Sequence, residues 1–370
     1  MKIAIVGGGL TGLVAGYRLS QKGHKITIFE KEKELGGLAG GFKLGGTYLE
    51  KTYHHIFRKD KYIIDLIEEL GLGEKLKWHK DKTAMVYGNN IYSFASAIDL
   101  LKFKPLGLAD KIRLGLVKIY LEKENNWEKF KKITATRWME KWCGKRAYKI
   151  IWEPLLRGKF GGKYKRISMA WMWARINSRG SGGLGYLEGG CQQIINELVK
   201  RIKGEIKIKT EFKNQKGFGR IINTGPIKGI DYLPAVVMVF TSKQNLSKYY
   251  WHNVVNPESP FVVFIQHTNL TDKANYGGEH IYYLGAYGKE KIEGWLEYLK
   301  KIFPKFEQKL IKQKFVFSFR YAQHIVACKY QVPSCKVNER LYRANFAQIY
   351  PEDRGMNLAV REGEKIAKMI

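Results

Sequence analysis

Cysteine is scarce, with four in 370 residues, at Cys143, Cys191, Cys328 and Cys335. None of them forms a C-x-x-C pair and no histidine stands at zinc-ligand spacing. Neither a metal site nor a disulfide framework is therefore expected, and buried free thiols are the simpler reading. Long apolar runs are also missing. The longest are short stretches such as Leu233 to Phe240, well below the ~18 residues that a bilayer-crossing helix needs. Acidic side chains are few, 34 against 65 Lys and Arg, which leaves a formal charge of +31. That excess favours anionic surfaces, nucleic acid or acidic substrates at low salt. It gathers between residues 97 and 166, where 19 basic side chains face 7 acidic ones. No internal repeat, low-complexity tract or nucleic-acid motif is present, so no specific nucleic-acid partner is expected. No basic leader precedes the apolar run that opens at Ile3. A cleaved signal peptide is thus not indicated, and the expected location is the cytoplasm.

What is present is enough apolar material, 45% of the chain, to build a substantial core, and the length suggests about two domains. Lys2 to Val6 is a β-branched run followed by glycines, after which Leu10, Leu13, Val14 and Tyr17 recur at helical spacing. A second strand spans Lys25 to Glu30. Strand, turn, helix and strand make a right-handed βαβ unit with a parallel pair. In the turn Gly7-Gly8-Gly9-Leu10-Thr11-Gly12, the first glycine allows the tight bend, Gly9 lets the backbone approach a pyrophosphate, and Gly12 lets helix and strand pack closely. The amides at Leu10 and Thr11 open the helix, and its positive end suits phosphate without a lysine or a metal. Glu30, with Lys31 beside it, ends the second strand where an acid accepts hydrogen bonds from an adenosine ribose.

Farther along, Asp60 is placed to cap a helix in which Tyr62, Ile63, Leu66, Ile67 and Leu70 share a face and Gly71 supplies the stop. From Ala97 to about Cys143 the pattern is helical, apolar and basic together. Gly180, Gly182, Gly183 and Gly185 form a connection before a helix lined by Ile194, Ile195, Leu198, Val199 and Ile202. Ile206, Ile208 and Phe212 alternate as in a strand, and Arg220 to Thr224 reads as another. Pro234 to Phe240, Phe261 to Gln266 and Phe315 to Phe319 are further strand-like runs, and Ile292, Trp295, Leu296 and Leu299 mark a helix. The last helix carries Ala359, Gly363 and Ala367 at four-residue spacing, which permits close backbone packing.

The continuation past Glu30, with Gly36-Gly37-Leu38-Ala39-Gly40 at a short interval after the acid, resembles the FAD-dependent amine oxidase, protoporphyrinogen oxidase and phytoene desaturase superfamily. The resemblance implies FAD as cofactor, with Gly36, Gly37, Leu38 and Ala39 running along its pyrophosphate and ribityl arm. Many members have arginine after the glycine pair; this chain has Leu38, which leaves phosphate neutralisation to backbone amides. The block Glu50 to Phe57 resembles the segment passing the flavin ring, and Gly185 to Gly190 resembles the return to the cofactor domain. Phe212 would lie beside adenine. Tyr342 to Asn345 and Asp353 to Ala359 resemble the terminal flavin motif, in which Asn345 stands where relatives carry an acid and the amides near Gly355, Met356 and Asn357 face the ring. The implied fold is α/β, a discontinuous Rossmann-type FAD-binding domain (1–58, 186–232 and 336–370) with a second α+β substrate domain (59–185 and 233–335).

A flavin carries the electron transfer, so the protein needs few catalytic groups. His54 and His55 are candidates for touching the flavin or handling a proton, or else they are packed for structure. Gln323 and His324, after Tyr321, are candidates to line the substrate pocket. Trp171 and Trp173 read as core, and Arg157 and Lys159 read as solvated cations. The expected activity is transfer of hydride from an apolar or lipid-linked substrate to FAD. A flavin-dependent sugar-nucleotide mutase and a flavin-bearing membrane-surface binding protein stay open as alternatives. The apolar, basic helices after Ala97 raise an anionic membrane surface as a partner, with the chain peripheral on the inner face.

Overall fold

Residues 2–6 form a strand whose Ile3, Ala4 and Ile5 are fully buried. It pairs in parallel with Lys25–Phe29 on one side and Arg220–Asn223 on the other. Gly204–Lys207 and Leu341–Arg343 complete a five-stranded parallel sheet at its two edges. The helix Leu10–Gln21 is the crossover between the first two strands. The first strand thus has its sequence neighbour on one side and a strand from far down the chain on the other. Connections leave it in opposite directions, and open α/β sheets have their binding crevice at such a switch point, beyond the strands' carboxyl ends.

The computed structural model describes residues 1–80, 82–178, 182–213, 216–288 and 291–370; Gly180, one of the connecting glycines, lies outside them. The chain divides into two units. The first comprises Met1–Trp78, Leu184–Ile230 and Gln331–Ile370, and the second His79–Gly183 and Asp231–Tyr330. Residues 59–78, expected in the substrate domain, belong to the first unit. The reason is the helix Lys61–Glu69, whose Ile63, Leu66 and Ile67 share a core with Leu13, Val14 and Val360. Residues 331–335 also fall in the first unit, where Cys335 packs against that core and its carbonyl accepts the Arg343 N–H at 2.7 Å.

Two local expectations are corrected. Asp60 does precede the helix, but its carboxylate accepts the Phe57 N–H at 2.9 Å and not a helix amide, and burial pushes its pKa up to about 6. The helix amide of Ile63 is met instead by Asn357 Oδ1 at 3.1 Å. The strand expected to reach Phe212 ends at Lys207, because Lys209 takes a left-handed conformation (φ 52°) that turns the chain off the sheet. The closing helix, Met356–Lys368, packs against Leu10–Gln21 through Gly363. A Cβ there would lie 2.8 Å from both the Thr11 carbonyl and Val14.

The second unit holds a seven-stranded sheet in the order Ile311–His324, Tyr232–Ser242, His280–Tyr287, Val263–Gln266, Trp251–Val254, Thr83–Tyr87 and Asn90–Ser93. Its strands pair antiparallel except Trp251–Val254 with Thr83–Tyr87. The helix Trp295–Ile302 covers one face, burying Trp295, Leu296 and Leu299 against Val236, Met238, Phe264 and Leu284. The segment from Ala97 to Ser178 is helical, including Leu108–Lys123, Ala135–Cys143 and Met169–Ser178. Within the described residues no helix is long and apolar enough to cross a membrane. All four cysteines are free; Cys143 and Cys191 are buried, whereas Cys328 and Cys335 are only partly so.

Candidate functional site

The glycine turn follows the first strand at the switch point. Val6 is in register with Phe29 and with Asn223, so Glu30 and Thr224 flank Gly7. Gly7 adopts φ 110°, and a Cβ on Gly12 would come within 2.1 Å of the Gly7 carbonyl, so helix and turn close against each other only with glycine. The Thr224 hydroxyl, unremarked in the sequence, donates to the Val6 and Gly7 carbonyls at 3.0 and 3.2 Å and fastens the turn from the neighbouring strand. Gly9 is the N-cap of Leu10–Gln21 and no side chain caps that helix end. A Cβ on Gly9 would meet no atom within 4 Å. The first amides of this helix thus lie at its positive end without a side-chain cap.

Glu30 is buried, with its carboxylate accepting the Gly8 N–H at 2.7 Å and the Glu32 N–H at 2.8 Å. Lys31 is exposed, 3.7 Å from Glu32. The second glycine pair folds back onto the turn. Gly36, at φ 104°, donates its N–H to the Gly8 carbonyl at 2.8 Å, and Gly37–Ala39 form one 3-10 turn that buries Ala39. Phe212 lies in coil, but its ring is 5.0 Å from Phe29, the residue before Glu30. It thus lies beside the end of the second strand.

His54 serves that same loop. Its Nε2 lies 2.8 Å from the Leu38 carbonyl, which also accepts the Thr52 hydroxyl at 3.1 Å. Desolvation, aided by the Arg354 guanidinium and opposed by the bond to Leu38, pulls the His54 pKa down to about 4. The ring is neutral at physiological pH, with Nε2–H donating to Leu38, so His54 positions the glycine loop and does not trade protons with bulk solvent there. Because an unfolded ring protonates near 6.5 and the folded one near 4, this histidine's contribution to stability is lost as pH falls through that interval. In a ring-labelled NMR titration the His54 signals are expected to stay constant between about pH 5.5 and 8. A midpoint near the ordinary value would contradict the assignment. His55 makes an edge contact with Phe57, centroids 5.0 Å apart.

Glu50 is a further residue whose part was not visible in the sequence. It is buried, accepting the Cys191 N–H at 2.6 Å and the Tyr186 hydroxyl at 3.0 Å, while burial pushes its carboxyl pKa up. It ties the strand Thr47–Glu50 to the Gly189-Gly190 turn, just ahead of Thr52 and His54. In the sequence it stands only as the first residue of the block Glu50 to Phe57.

At the far end of the chain, Asn345 is buried, with Nδ2 donating to the Gly225 and Thr224 carbonyls at 2.9 and 3.3 Å and Oδ1 accepting the Ala347 N–H. Its side chain is engaged within the protein on both sides. Asn345→Asp would replace two donors by a carboxylate facing two carbonyl oxygens, and it is expected to cost about 3 kcal/mol in a urea melt. An unchanged midpoint would show that the amide does not hold these strands. Gly355, the N-cap of Met356–Lys368, also lacks a side-chain cap, and its Cβ position is open. Gly9 and Gly355 are thus both glycine helix starts without a side-chain cap.

In the second unit, Gln323 and His324 end the strand Ile311–His324 and are fully buried. The His324 ring lies 5.6 Å from Tyr330, and its strand partner is Tyr232, which meets Tyr321 edge-on at 5.5 Å. Gln323 Oε1 has no hydrogen-bond partner among the described residues. Trp171 is core, edge-on to Phe160, and Trp173 donates its Nε1–H to the Glu124 carbonyl. Arg157 is held by Glu153 and Tyr164. Lys159 lies over the Trp171 and Tyr287 rings, so it is not the plain solvated cation that was expected. A surface cleft of about 380 Å³ in the first unit, bordered by Lys33, Lys43, Tyr48 and Asn196, contains neither the glycine turn nor Glu30. No group of three or more His, Cys, Asp or Glu side chains among the described residues is arranged to hold a metal ion.

The model of the flavin containing amine oxidoreductase family matches residues 10–214, more than half of the chain. The chain belongs to this family. Among curated relatives of this flavin oxidoreductase, the mitochondrial protoporphyrinogen oxidase of Nicotiana tabacum is 21% identical over 220 residues, 58% of this chain and 44% of that protein. A 4,4'-diapophytoene desaturase of Staphylococcus haemolyticus is 54% identical over 46 residues, 12% of this chain and 9% of that protein. The matched regions thus span less than half the length of either relative. The crystal structure of a reduced UDP-galactopyranose mutase superposes with a TM-score of 0.75 at 15% identity, over 99% of this chain and 94% of that one, which shows a shared fold.

The family's cofactor, FAD, suits the first unit's groups. Phosphates bind at helix-start amides, and the start at Gly9 has no side-chain cap and space where a side chain would stand. A ribose needs an acceptor, and Glu30 supplies a carboxylate at the end of the second strand. The second open start, at Gly355, offers amides to a developing negative charge.

Proposed function

We infer that this flavin oxidoreductase takes hydride from an apolar or lipid-linked substrate that bears one N–H or O–H group. The observation that carries the reading is Gln323. Its side chain is fully buried at the end of the strand Ile311–His324, with Oε1 lacking a hydrogen-bond partner among the described residues. An orphaned buried acceptor costs stability unless a ligand's donor satisfies it. The same strand carries Tyr321, with Tyr232 and Tyr330 beside the adjacent His324, and aromatic rings at this strand end favour an apolar body for the substrate. Bound flavin supplies the electron acceptor. The chain's own residues then have two tasks: Thr52, His54 and Glu50 fix the loop and turn that hold the cofactor, and Gln323 orients the substrate.

Anaerobic mixing of the FAD-loaded enzyme with isoprenoid lipids, porphyrinogens and sugar nucleotides tests this. Bleaching of the flavin by an apolar donor is expected. If no donor bleaches it, and a sugar nucleotide binds only after chemical reduction, the protein is a mutase and the proposal fails. Gln323→Leu removes the orphan acceptor, so it is expected to stabilise the ligand-free protein by about 1–3 kcal/mol while raising KM for the substrate. Loss of stability in a thermal melt would mean that the amide is satisfied and is not reserved for a ligand.

A further inference from the structure

The helix Leu108–Lys123 buries Leu114, Val117 and Leu121 on one side. Its opposite side is also apolar. Leu108, Ile112, Leu116 and Ile119 are 65%, 54%, 63% and 51% exposed, although a helix packed into a water-soluble surface normally turns polar residues outward. At 100° per residue these four positions fall on one stripe, facing away from the buried set. The preceding helix, Ala97–Lys102, extends the patch with Ile98 and Leu101, and Lys111 Nζ donates to the Leu101 carbonyl, joining the two helices. Single exposed apolar residues need no explanation, but a contiguous set across two helices marks an interaction surface.

The charges around the patch identify its occupant. Residues 97–123 carry six basic and three acidic side chains. Lys111 and Lys118 follow one edge of the stripe and Arg113 the other, while Lys102 ends the first helix and Lys104 lies in the connection. Of the acids, Asp99 is engaged in capping its own helix through Ser96, and Glu122 lies 3.2 Å from Lys118. A second copy meeting this face about a two-fold axis would bring cationic edges together. An anionic headgroup layer neutralises both edges and receives the apolar side chains beneath it.

We propose that the outer face of Ala97–Lys102 and Leu108–Lys123 lies on the surface of an anionic lipid bilayer, with the leucines and isoleucines at the headgroup–acyl boundary and the lysines at lipid phosphates. No described helix can span the bilayer, so this is attachment in the plane of the interface. The test is flotation of the full chain with vesicles of phosphatidylcholine alone or mixed with phosphatidylglycerol. Binding is expected to require phosphatidylglycerol and to fall with salt. Lys111→Gln or Lys118→Gln is expected to weaken partitioning about fivefold each. The double change Ile112→Gln with Leu116→Gln is expected to weaken it by at least about tenfold. Both residues are largely exposed, so helix content by circular dichroism stays at the unaltered level. Equal flotation of the double variant and the unaltered protein overturns the proposal. So does a lipid-free dimer, seen by sedimentation, that the same double change dissociates, because the patch would then belong to a second copy.

Discussion

Gly12→Ala is expected to unfold or loosen the first unit and to abolish flavin retention together. The added methyl would stand 2.1 Å from the Gly7 carbonyl and 3.2 Å from the Thr224 hydroxyl. Neither can yield easily, because Gly7 is fixed between two paired strands and Thr224 is bonded to Val6 and Gly7. Relief requires the helix Leu10–Gln21 to lift from the sheet, losing contacts of Leu13 and Val14 with the core. The expected cost is about 3 kcal/mol or more in a denaturant melt, with FAD affinity falling on the order of a hundredfold as the helix amides move. A variant with an unchanged melt would mean that the close approach at Gly12 is not what holds turn and helix together.

Gly9→Ser is expected to separate these two effects. Gly9 has an extended backbone (φ −72°, ψ 172°) that any residue adopts, no atom lies within 4 Å of its Cβ position, and the helix behind it has no side-chain cap. Serine there caps the helix amides, so the ligand-free protein should gain about 0.5–1 kcal/mol. The same hydroxyl occupies the amides and the space that a pyrophosphate needs. FAD affinity is expected to fall about 10- to 100-fold, the equivalent of one or two charge-assisted hydrogen bonds. Thermal melts without cofactor, set beside flavin titrations, distinguish the outcomes. A serine variant that is more stable yet binds FAD as before would remove the phosphate assignment of this helix start.

The first thirty residues were legible because their signals are local. A β-branched run, glycines at fixed offsets, helical periodicity and a terminal acid are each visible within one short window, and all form as expected. Gly36 was legible for the same reason, although its bond to the Gly8 carbonyl was not. What escaped depends on partners distant in sequence. Thr224 fastens a turn 217 residues away, Glu50 takes an amide 141 residues on, and Asn357 meets the helix amide that Asp60 was expected to satisfy. The helix Lys61–Glu69 shows its apolar face in the sequence, but nothing local says which core that face enters. In the second unit, His280–Tyr287 is buried on both faces, so the polar–apolar alternation that marks a half-buried strand is absent. The histidine pair shows the limit for chemistry. The sequence marks both as candidates for touching the flavin or handling a proton, but the Leu38 carbonyl and Arg354, which set the state of the His54 ring, are brought to it only by the fold.

The central claim is that this unit holds FAD at the switch point of its parallel sheet. Its most direct test is titration of the cofactor-free chain with FAD, followed by gel filtration and measurement of flavin absorbance against protein. The account predicts one flavin retained per chain, with retention lowered in Gly9→Ser although that variant stays folded. A folded wild-type chain that emerges colourless, or a Gly9→Ser variant that keeps its full flavin, would contradict it.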